Sequence, residues 1–220
     1  MMHRTRIKIC GLTRAEDVAV AVAAGADAIG FVFYAKSPRH VTAAVAAELI
    51  SAVPPFISTV GLFVNASAAD IAAVLERAPL SLLQFHGDET PEQCAAIAQA
   101  VKRPFMRAAR IGMATTAGDL LKCEQDYRSS SSLFTGLLLD TLVEQYGGSG
   151  KVFDWSLIPE ELAPRVVLSG GLSVQNVTDA VQRVRPYAVD VSSGVEQAKG
   201  IKDAARIAAF ISAVQLADKA

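Results

Sequence analysis

Residues 166–172 have the sequence VVLSGGL, and residues 189–195 have the sequence VDVSSGV. In each stretch a short, mostly β-branched apolar run, typical of a buried parallel strand, ends abruptly in Ser and Gly, and a helical pattern follows. Each stretch therefore predicts a strand, a tight turn and the start of a helix. Two such units in succession are typical of the last part of an α/β barrel.

The two turns contain Gly170, Gly171, Ser192 and Ser193. Glycine lets the backbone approach a ligand closely, and the helix that follows presents unpaired N–H groups and the positive end of its dipole. Neighbouring turns of this type predict a phosphate-binding site. The alternative is that they are only tight connections between strand and helix.

Six further strand–turn–helix units precede these two, and the eight together predict one (β/α)8 TIM barrel that spans residues 1–220. The predicted strands are 6–10, 27–33, 58–64, 82–85, 105–110, 136–140, 166–168 and 189–191. Helices are expected from 14 to 24, after Thr42, Ser67 and Pro91, up to about residue 127, and from 202 to 216. Residues 129–132 are predicted to form an exposed loop, and little sequence remains for a helix before the seventh strand.

The composition favours a small-molecule enzyme. Hydrophobic residues make up 51% of the 220 residues and charged residues 20%, with a formal net charge of −1. Scattered Lys and Arg residues give no basic patch for nucleic acid, and no long uncharged apolar run predicts a membrane span. Three cysteines cannot all pair, and no secretion signal is apparent, so we expect a cytoplasmic protein.

Reactive groups in such barrels lie at the carboxyl ends of the strands, and Cys10 and Asp140 both occupy such positions. Cys10 precedes a helix start, where a dipole would favour the thiolate and hence a basic role; the alternative is an inert buried thiol. Asp140 follows three leucines at the predicted mouth. Partial desolvation there favours its protonated form, as a general acid requires, whereas the alternative is a turn-forming role.

Three more side chains are candidates for substrate binding. Arg39, after the second strand, has a planar guanidinium suited to holding a carboxylate, unless it is a solvated loop charge. His86, after the fourth strand, can hydrogen-bond either a ligand or the backbone. Asp190 lies within an apolar strand and must be paired if it is buried, with a partner that the sequence does not identify.

The glycine-rich segment 146–151 resembles part of a P-loop but lacks the required Gly at position 145 and Ser or Thr at position 152. We interpret it as a flexible lid over the barrel mouth. No metal-ligand cluster, dinucleotide fingerprint or Ser-His-Asp arrangement is apparent in the spacing, so no cofactor is expected.

Six motifs in this order resemble those of phosphoribosylanthranilate isomerases, and the match runs nearly from end to end. They are KICGL (8–12), GFVF leading to SPR (30–39), QFHG (84–87), LDT (139–141), SGGL (169–172) and DVSSGVE (190–196). SGGL is shared with other phosphate-binding barrels, whereas KICG together with DVSSGVE is specific. The one departure is Phe85, where Leu is expected.

The resemblance implies an Amadori rearrangement of N-(5-phosphoribosyl)anthranilate to 1-(2-carboxyphenylamino)-1-deoxyribulose 5-phosphate in tryptophan biosynthesis. By motif, Asp140 would be the general acid that opens the furanose ring, and Cys10 the general base that removes the C2 proton. Arg39 would hold the anthranilate carboxylate, and the two turns would hold the phosphate. The resemblance implies no metal or coenzyme.

Two rival functions are weighed against this one. Indole-3-glycerol-phosphate synthase shares the phosphate site but is expected to use a catalytic lysine and glutamates, whereas here the first strand ends in Cys10. A catalytically inactive sugar-phosphate sensor would lack Cys10 or Asp140, and both are present. The sequence leaves open whether the protein is a monomer or a homodimer, and whether it also accepts the aminoimidazole ribonucleotide of histidine biosynthesis.

Overall fold

Eight parallel strands close into a barrel in chain order, and the first strand pairs with the eighth as well as with the second. The computed structural model describes residues 4–141 and 152–219. The strands are β1 (Arg6–Cys10), β2 (Ala28–Val32), β3 (Ser58–Phe63), β4 (Leu82–Phe85), β5 (Phe105–Ile111), β6 (Phe134–Thr141), β7 (Val167–Leu168) and β8 (Ala188–Val191). The prediction of a TIM barrel is confirmed.

Seven described helices surround the barrel: α1 (Ala15–Ala24), α2 (Ala43–Ser51), α3 (Ala68–Leu75), α4 (Pro91–Val101), α5 (Ala117–Ser130), α6 (Val177–Val184) and α7 (Ala204–Ala217). Their starts follow local chemistry. Thr42 accepts a hydrogen bond from the Val45 N–H, and capping boxes at Ser67, Thr90 and Thr116 begin α3, α4 and α5. None of these helices is long and apolar enough to cross a membrane.

Apolar side chains on the outer face of the strands pack against the helices and form the main core. A second, smaller cluster of Val60, Met106, Ala108 and Leu138 fills part of the barrel interior. Because a parallel barrel strand is apolar on both faces, any polar side chain that points inward lies in a nearly dry environment.

The chain between β6 and β7 contains no α-helix among its described residues, 152–166. It forms two short 3-10 turns, Trp155–Leu157 and Ala163–Arg165. Pro159 and Pro164 lack the backbone N–H that a continuous helix needs, which explains why the segment stays irregular. The predicted lid, residues 146–151, lies outside the described residues.

Two sequence-based boundaries are wrong. Helix α5 continues to Ser130, so half of the predicted polar loop at 129–132 is helical; the Ser130 hydroxyl donates to the carbonyl of the buried Tyr127. After β8 no α-helix begins at once. A 3-10 turn, Ser193–Val195, and an antiparallel hairpin of β9 (Glu196–Ala198) and β10 (Ile201–Lys202) precede α7.

Candidate active site

A pocket opens at the carboxyl ends of the strands, where strand-end residues from β1, β6, β7 and β8 meet. All nine residues singled out in the sequence line it: Cys10, Arg39, His86, Asp140, Gly170, Gly171, Asp190, Ser192 and Ser193. Gln84 and Ser169 line it as well. The fold therefore brings the candidate residues together, while their individual roles stay predictions.

Cys10 ends β1 and is only 5% exposed. Burial raises the pKa of its thiol, and the nearby Lys8 ammonium opposes this rise in part. The sequence argument expected a helix dipole to favour the thiolate, but α1 begins five residues later, at Ala15. That expectation is wrong in direction, because burial outweighs the charges around the thiol.

Lys8 lies two residues before Cys10 and is buried inside the barrel. Its Nζ is 2.9 Å from Oδ1 of Asp190, and the two side chains are 4% and 7% exposed. The Ser169 hydroxyl lies 3.3 Å from Oδ2 of Asp190 and donates to it. The buried carboxylate that the sequence left without a partner is therefore paired with protein groups at both oxygens.

The carboxylate of Asp140 lies at the end of β6 and is bound from both sides. Its Oδ1 accepts a hydrogen bond of 3.0 Å from the Thr141 N–H, and its Oδ2 is 3.1 Å from Nε2 of His86. Nδ1 of His86 is in turn 3.1 Å from the side-chain nitrogen of Gln84. His86 thus bridges Gln84 and Asp140, and its ring faces another side chain of the site, not the backbone.

Gln84 was quoted in a motif but not recognised as a site residue. Its side chain is 1% exposed, and its Oε1 has no hydrogen-bond partner among the described residues. A polar residue on a short apolar strand was the available signal, because such a side chain must find partners if it points into the barrel.

The guanidinium of Arg39 makes a bidentate pair with Glu196. Nε and Nη2 of Arg39 lie 2.7 and 2.8 Å from the two carboxylate oxygens. Sequence reasoning reserved this fork for a substrate carboxylate, whereas in the structure Glu196 occupies two of its nitrogens. The third nitrogen, Nη1, makes no hydrogen bond to a described residue.

Lys202 joins the same cluster from β10. Its Nζ is 3.0 Å from Oε1 of Glu196 and 3.0 Å from the carbonyl oxygen of Ser192. Burial alone would raise the pKa of Glu196, but the hydrogen bonds from Arg39 and the Lys202 charge lower it below its ordinary value. Burial lowers the pKa of Lys202, partly offset by Glu196. The sequence argument missed both residues.

The two predicted phosphate turns have different geometry. Gly170 and Gly171 have φ angles of 78° and 72°, which favour glycine, and a Cβ at Gly170 would lie 2.3 Å from the Thr141 nitrogen. Asn176 then ties the turn to the start of α6, because its side-chain nitrogen donates to the Gly171 carbonyl. The second turn enters a 3-10 turn instead of an α-helix.

Comparison with known proteins identifies the family. Residues 7–213 match the family model described as N-(5'phosphoribosyl)anthranilate (PRA) isomerase. An N-(5'-phosphoribosyl)anthranilate isomerase of Herminiimonas arsenicoxydans is 69% identical over 220 residues, covering 100% of this chain and 97% of that protein.

Solved structures agree. A phosphoribosyl anthranilate isomerase in complex with reduced 1-(o-carboxyphenylamino)-1-deoxyribulose 5-phosphate is 39% identical, with a TM-score of 0.81 over 96% of this chain and 98% of that one. Monomers generated from the dimeric enzyme of Thermotoga maritima are 38% identical, with a TM-score of 0.81 and the same coverage. The chain therefore belongs to the phosphoribosylanthranilate isomerase family.

Proposed function

We propose that the protein rearranges N-(5-phosphoribosyl)anthranilate to 1-(2-carboxyphenylamino)-1-deoxyribulose 5-phosphate, with Asp140 as general acid and Cys10 as general base. The observation that supports the two roles is the placement of both side chains in one pocket, at the ends of β6 and β1. Family membership supports the reaction.

The first step is ring opening. Protonation of the furanose oxygen by Asp140 breaks its bond to C1, and the anthranilate nitrogen supplies the electron pair, which gives an iminium ion. His86 and the Thr141 N–H hold the carboxyl group in place from both sides. A fixed acid within hydrogen-bond reach of the leaving oxygen is what general acid catalysis requires.

The second step is proton transfer at carbon. The Cys10 thiolate removes the proton from C2, and the released electron pair forms a C1–C2 double bond while the iminium pair moves to nitrogen. The enolamine then tautomerises to the ketone. Because the iminium itself accepts the electrons, the proposal requires no metal or coenzyme.

Substrate binding follows the remaining pocket residues. We propose that the turns at Gly170–Gly171 and Ser192–Ser193 bind the phosphate and that Arg39 binds the anthranilate carboxylate. Glu196 fixes the guanidinium through two nitrogens, and the third is left to a ligand. A guanidinium held in this way is pre-organised for a carboxylate. Asp190 and His86 line the space between these groups.

Turnover of N-(5-phosphoribosyl)anthranilate by the purified protein, without added metal, tests the proposal. Folded Cys10→Ser and Asp140→Asn variants should each lose about a hundredfold or more in kcat/KM. Cys123→Ser and Asp126→Asn, which change the same residue types outside the pocket, should retain parent activity. An inactive parent that still binds the reduced product would favour a sugar-phosphate sensor.

The pH profile is a second test. Because one group must be deprotonated and another protonated, kcat/KM should follow a bell-shaped curve. A flat profile from about pH 5 to about pH 9 would contradict the assignment of a general acid and a general base.

We further propose that residues 1–220 form one catalytic domain, that the enzyme acts in the cytoplasm, and that it forms a homodimer. The dimeric Thermotoga maritima enzyme supports the last proposal. Light scattering on the purified protein tests it, since a mass of one chain would exclude the homodimer.

A further inference from the structure

The buried ammonium of Lys8 has no part in the reaction as described so far. Burying a charge is costly, and a buried ion pair is often no more stabilising than apolar residues of the same volume. The Lys8–Asp190 pair is nevertheless almost fully buried inside the barrel, directly beside the reactive end of β1. Its position suggests a role in the chemistry of that end.

Lys8 and Cys10 belong to the same strand, two residues apart, so their side chains point to the same face. Both touch Gly30 on the neighbouring strand: a Cβ added there would lie 2.9 Å from the Cys10 sulfur and 3.1 Å from Lys8 Nζ. The ammonium and the sulfur therefore share the small space above Gly30. A side chain at that position would intrude between them and the barrel wall.

Four charged groups face the Cys10 sulfur from the surrounding elements. Lys8 approaches from β1, Asp190 from β8, Lys202 from β10, and Arg39 from the loop after β2. Lys202 and Arg39 are both bound to the carboxylate of Glu196. The attraction of Lys8 for the thiolate exceeds the repulsion from Asp190, and it is the largest influence that opposes the effect of burial on the pKa of Cys10.

We propose that Lys8 is a positioning residue that stabilises the thiolate of Cys10 for the removal of the C2 proton. The proposal rests on the assignment of Cys10 as general base. In the step itself the proton passes from C2 to sulfur, and the C–H electron pair enters the C1–C2 bond. Lys8 exchanges no proton: its ammonium stabilises the charge on sulfur before the transfer and remains paired with Asp190 afterwards.

The two members of the ion pair have opposite effects in this proposal. Removing the ammonium with Lys8→Met destabilises the thiolate, so the pKa of Cys10 should rise. Removing the carboxylate charge with Asp190→Asn leaves the ammonium to Cys10 alone, so the pKa should fall. A purely structural ion pair predicts no such opposition, because either substitution breaks the same contact.

The pKa of Cys10 can be measured without substrate, from the ultraviolet absorbance of the thiolate during a pH titration. Subtracting the titration of the matching Cys10→Ala protein isolates the one thiol from Cys94, Cys123 and the tyrosines. We expect Lys8→Met to shift the titration upward by about one pH unit or more, and Lys8→Arg to restore most of the parent value. Asp190→Asn should shift it downward.

The kinetic profile provides the link to catalysis. For Lys8→Met the acidic limb of kcat/KM should move to higher pH, with about a tenfold loss near neutrality that is recovered in alkaline solution. The loss should appear in kcat more than in KM, because Lys8 does not contact the substrate in this proposal.

Shifts of the same sign in Lys8→Met and Asp190→Asn, or no shift in either, would overturn the proposal. If Lys8→Met does not fold, Asp190→Asn alone decides, since a raised or unchanged Cys10 pKa in that variant contradicts the inference. The titration needs no turnover. A parent that titrates as expected but has no isomerase activity would leave the electrostatic pair standing and reject the proposed reaction.

Discussion

The two reactive ends of the pocket are built differently. On the base side, Cys10 is surrounded by the Lys8–Asp190 pair and by the cluster of Arg39, Glu196 and Lys202, all buried or nearly so. On the acid side, Asp140 is 25% exposed and is held by the Thr141 N–H and by His86, which Gln84 orients.

The difference follows from what each group must do. A thiol must lose a proton to become a base, so a buried thiol requires compensating cations. A carboxyl group that donates a proton needs mainly a fixed direction, which hydrogen bonds supply, and a cation beside it would favour the wrong form. The base side is therefore electrostatic in design and the acid side geometric.

The largest effect is expected on the acid side, from Gly170→Ala. Its Cβ would lie 2.3 Å from the Thr141 nitrogen and 2.9 Å from Oδ1 of Asp140, at a φ of 78° that disfavours alanine. Backbone cannot yield as a flexible side chain can, so Asp140 must move, and we expect about a hundredfold loss of kcat/KM. In Gly118→Ala, the matched control on α5, the added Cβ lies 3.7 Å from the nearest atom, and activity should not change.

The next effect is the pH dependence that the base side imposes on the parent enzyme. Burial raises the pKa of Cys10, so near neutrality most of the free enzyme holds the protonated thiol. Because the base must be deprotonated, kcat/KM should increase about tenfold per pH unit from neutrality towards the pKa of Cys10. A constant kcat/KM over this range would mean that Cys10 is already a thiolate, and the base side would have no burial penalty to offset.

Gly30→Ala should have a smaller effect, on the base side. Its Cβ would lie 2.9 Å from the Cys10 sulfur and 3.1 Å from Lys8 Nζ. Both atoms end side chains that can shift, so we expect about a tenfold loss in kcat, with little change in KM. The variant should also alter the titration of Cys10 while leaving the histidine spectrum of the acid side unchanged. An effect as large as that of Gly170→Ala would contradict the difference between the two sides.

Gln84→Met should have the smallest effect, since it removes one hydrogen bond on the acid side. With the Gln84 nitrogen donating to Nδ1, the proton of a neutral His86 ring lies on Nε2 and points to Asp140. Loss of about 1 kcal/mol of hydrogen bonding predicts roughly a fivefold decrease in kcat. The measurement is ¹⁵N NMR of the imidazole, which is simple to assign with three histidines in the chain.

The matched variant Gln93→Met removes an amide that caps α4, far from the pocket, and should leave both kcat and the His86 signals unchanged. If Gln84→Met changed kcat but left the His86 tautomer as in the parent, Gln84 would act by packing alone and the acid side would need another explanation.

The fold and the location of the site followed from sequence because both depend on local patterns. Apolar strand segments that end in Ser, Gly or Asp predict a barrel, and the barrel rule then places Cys10, Asp140 and the two turns at one mouth. The lid segment could not be checked in the same way, since it lies outside the described residues.

The partners of these groups were not predictable, because they depend on closure of the barrel. Lys8 and Asp190 are 182 residues apart and meet only because β1 and β8 pair in a register that sets them opposite each other. Arg39 and Glu196 are 157 residues apart, and Glu196 begins a hairpin that the sequence pattern did not indicate. The burial of Cys10 likewise depends on neighbours from distant strands, which is why its acidity was expected to shift the other way.

Pairing of the first and last strands also has a consequence for folding. The cation beside the base is compensated only when β8 has docked against β1, and Asp218 near the end of the chain binds the backbone N–H of Thr5 at the same seam. A partly folded chain with seven strands in place would contain both Cys10 and Asp140 and yet lack the environment that makes Cys10 useful. During refolding, catalytic activity should therefore return with the final ring-closing event and lag behind the recovery of helical structure.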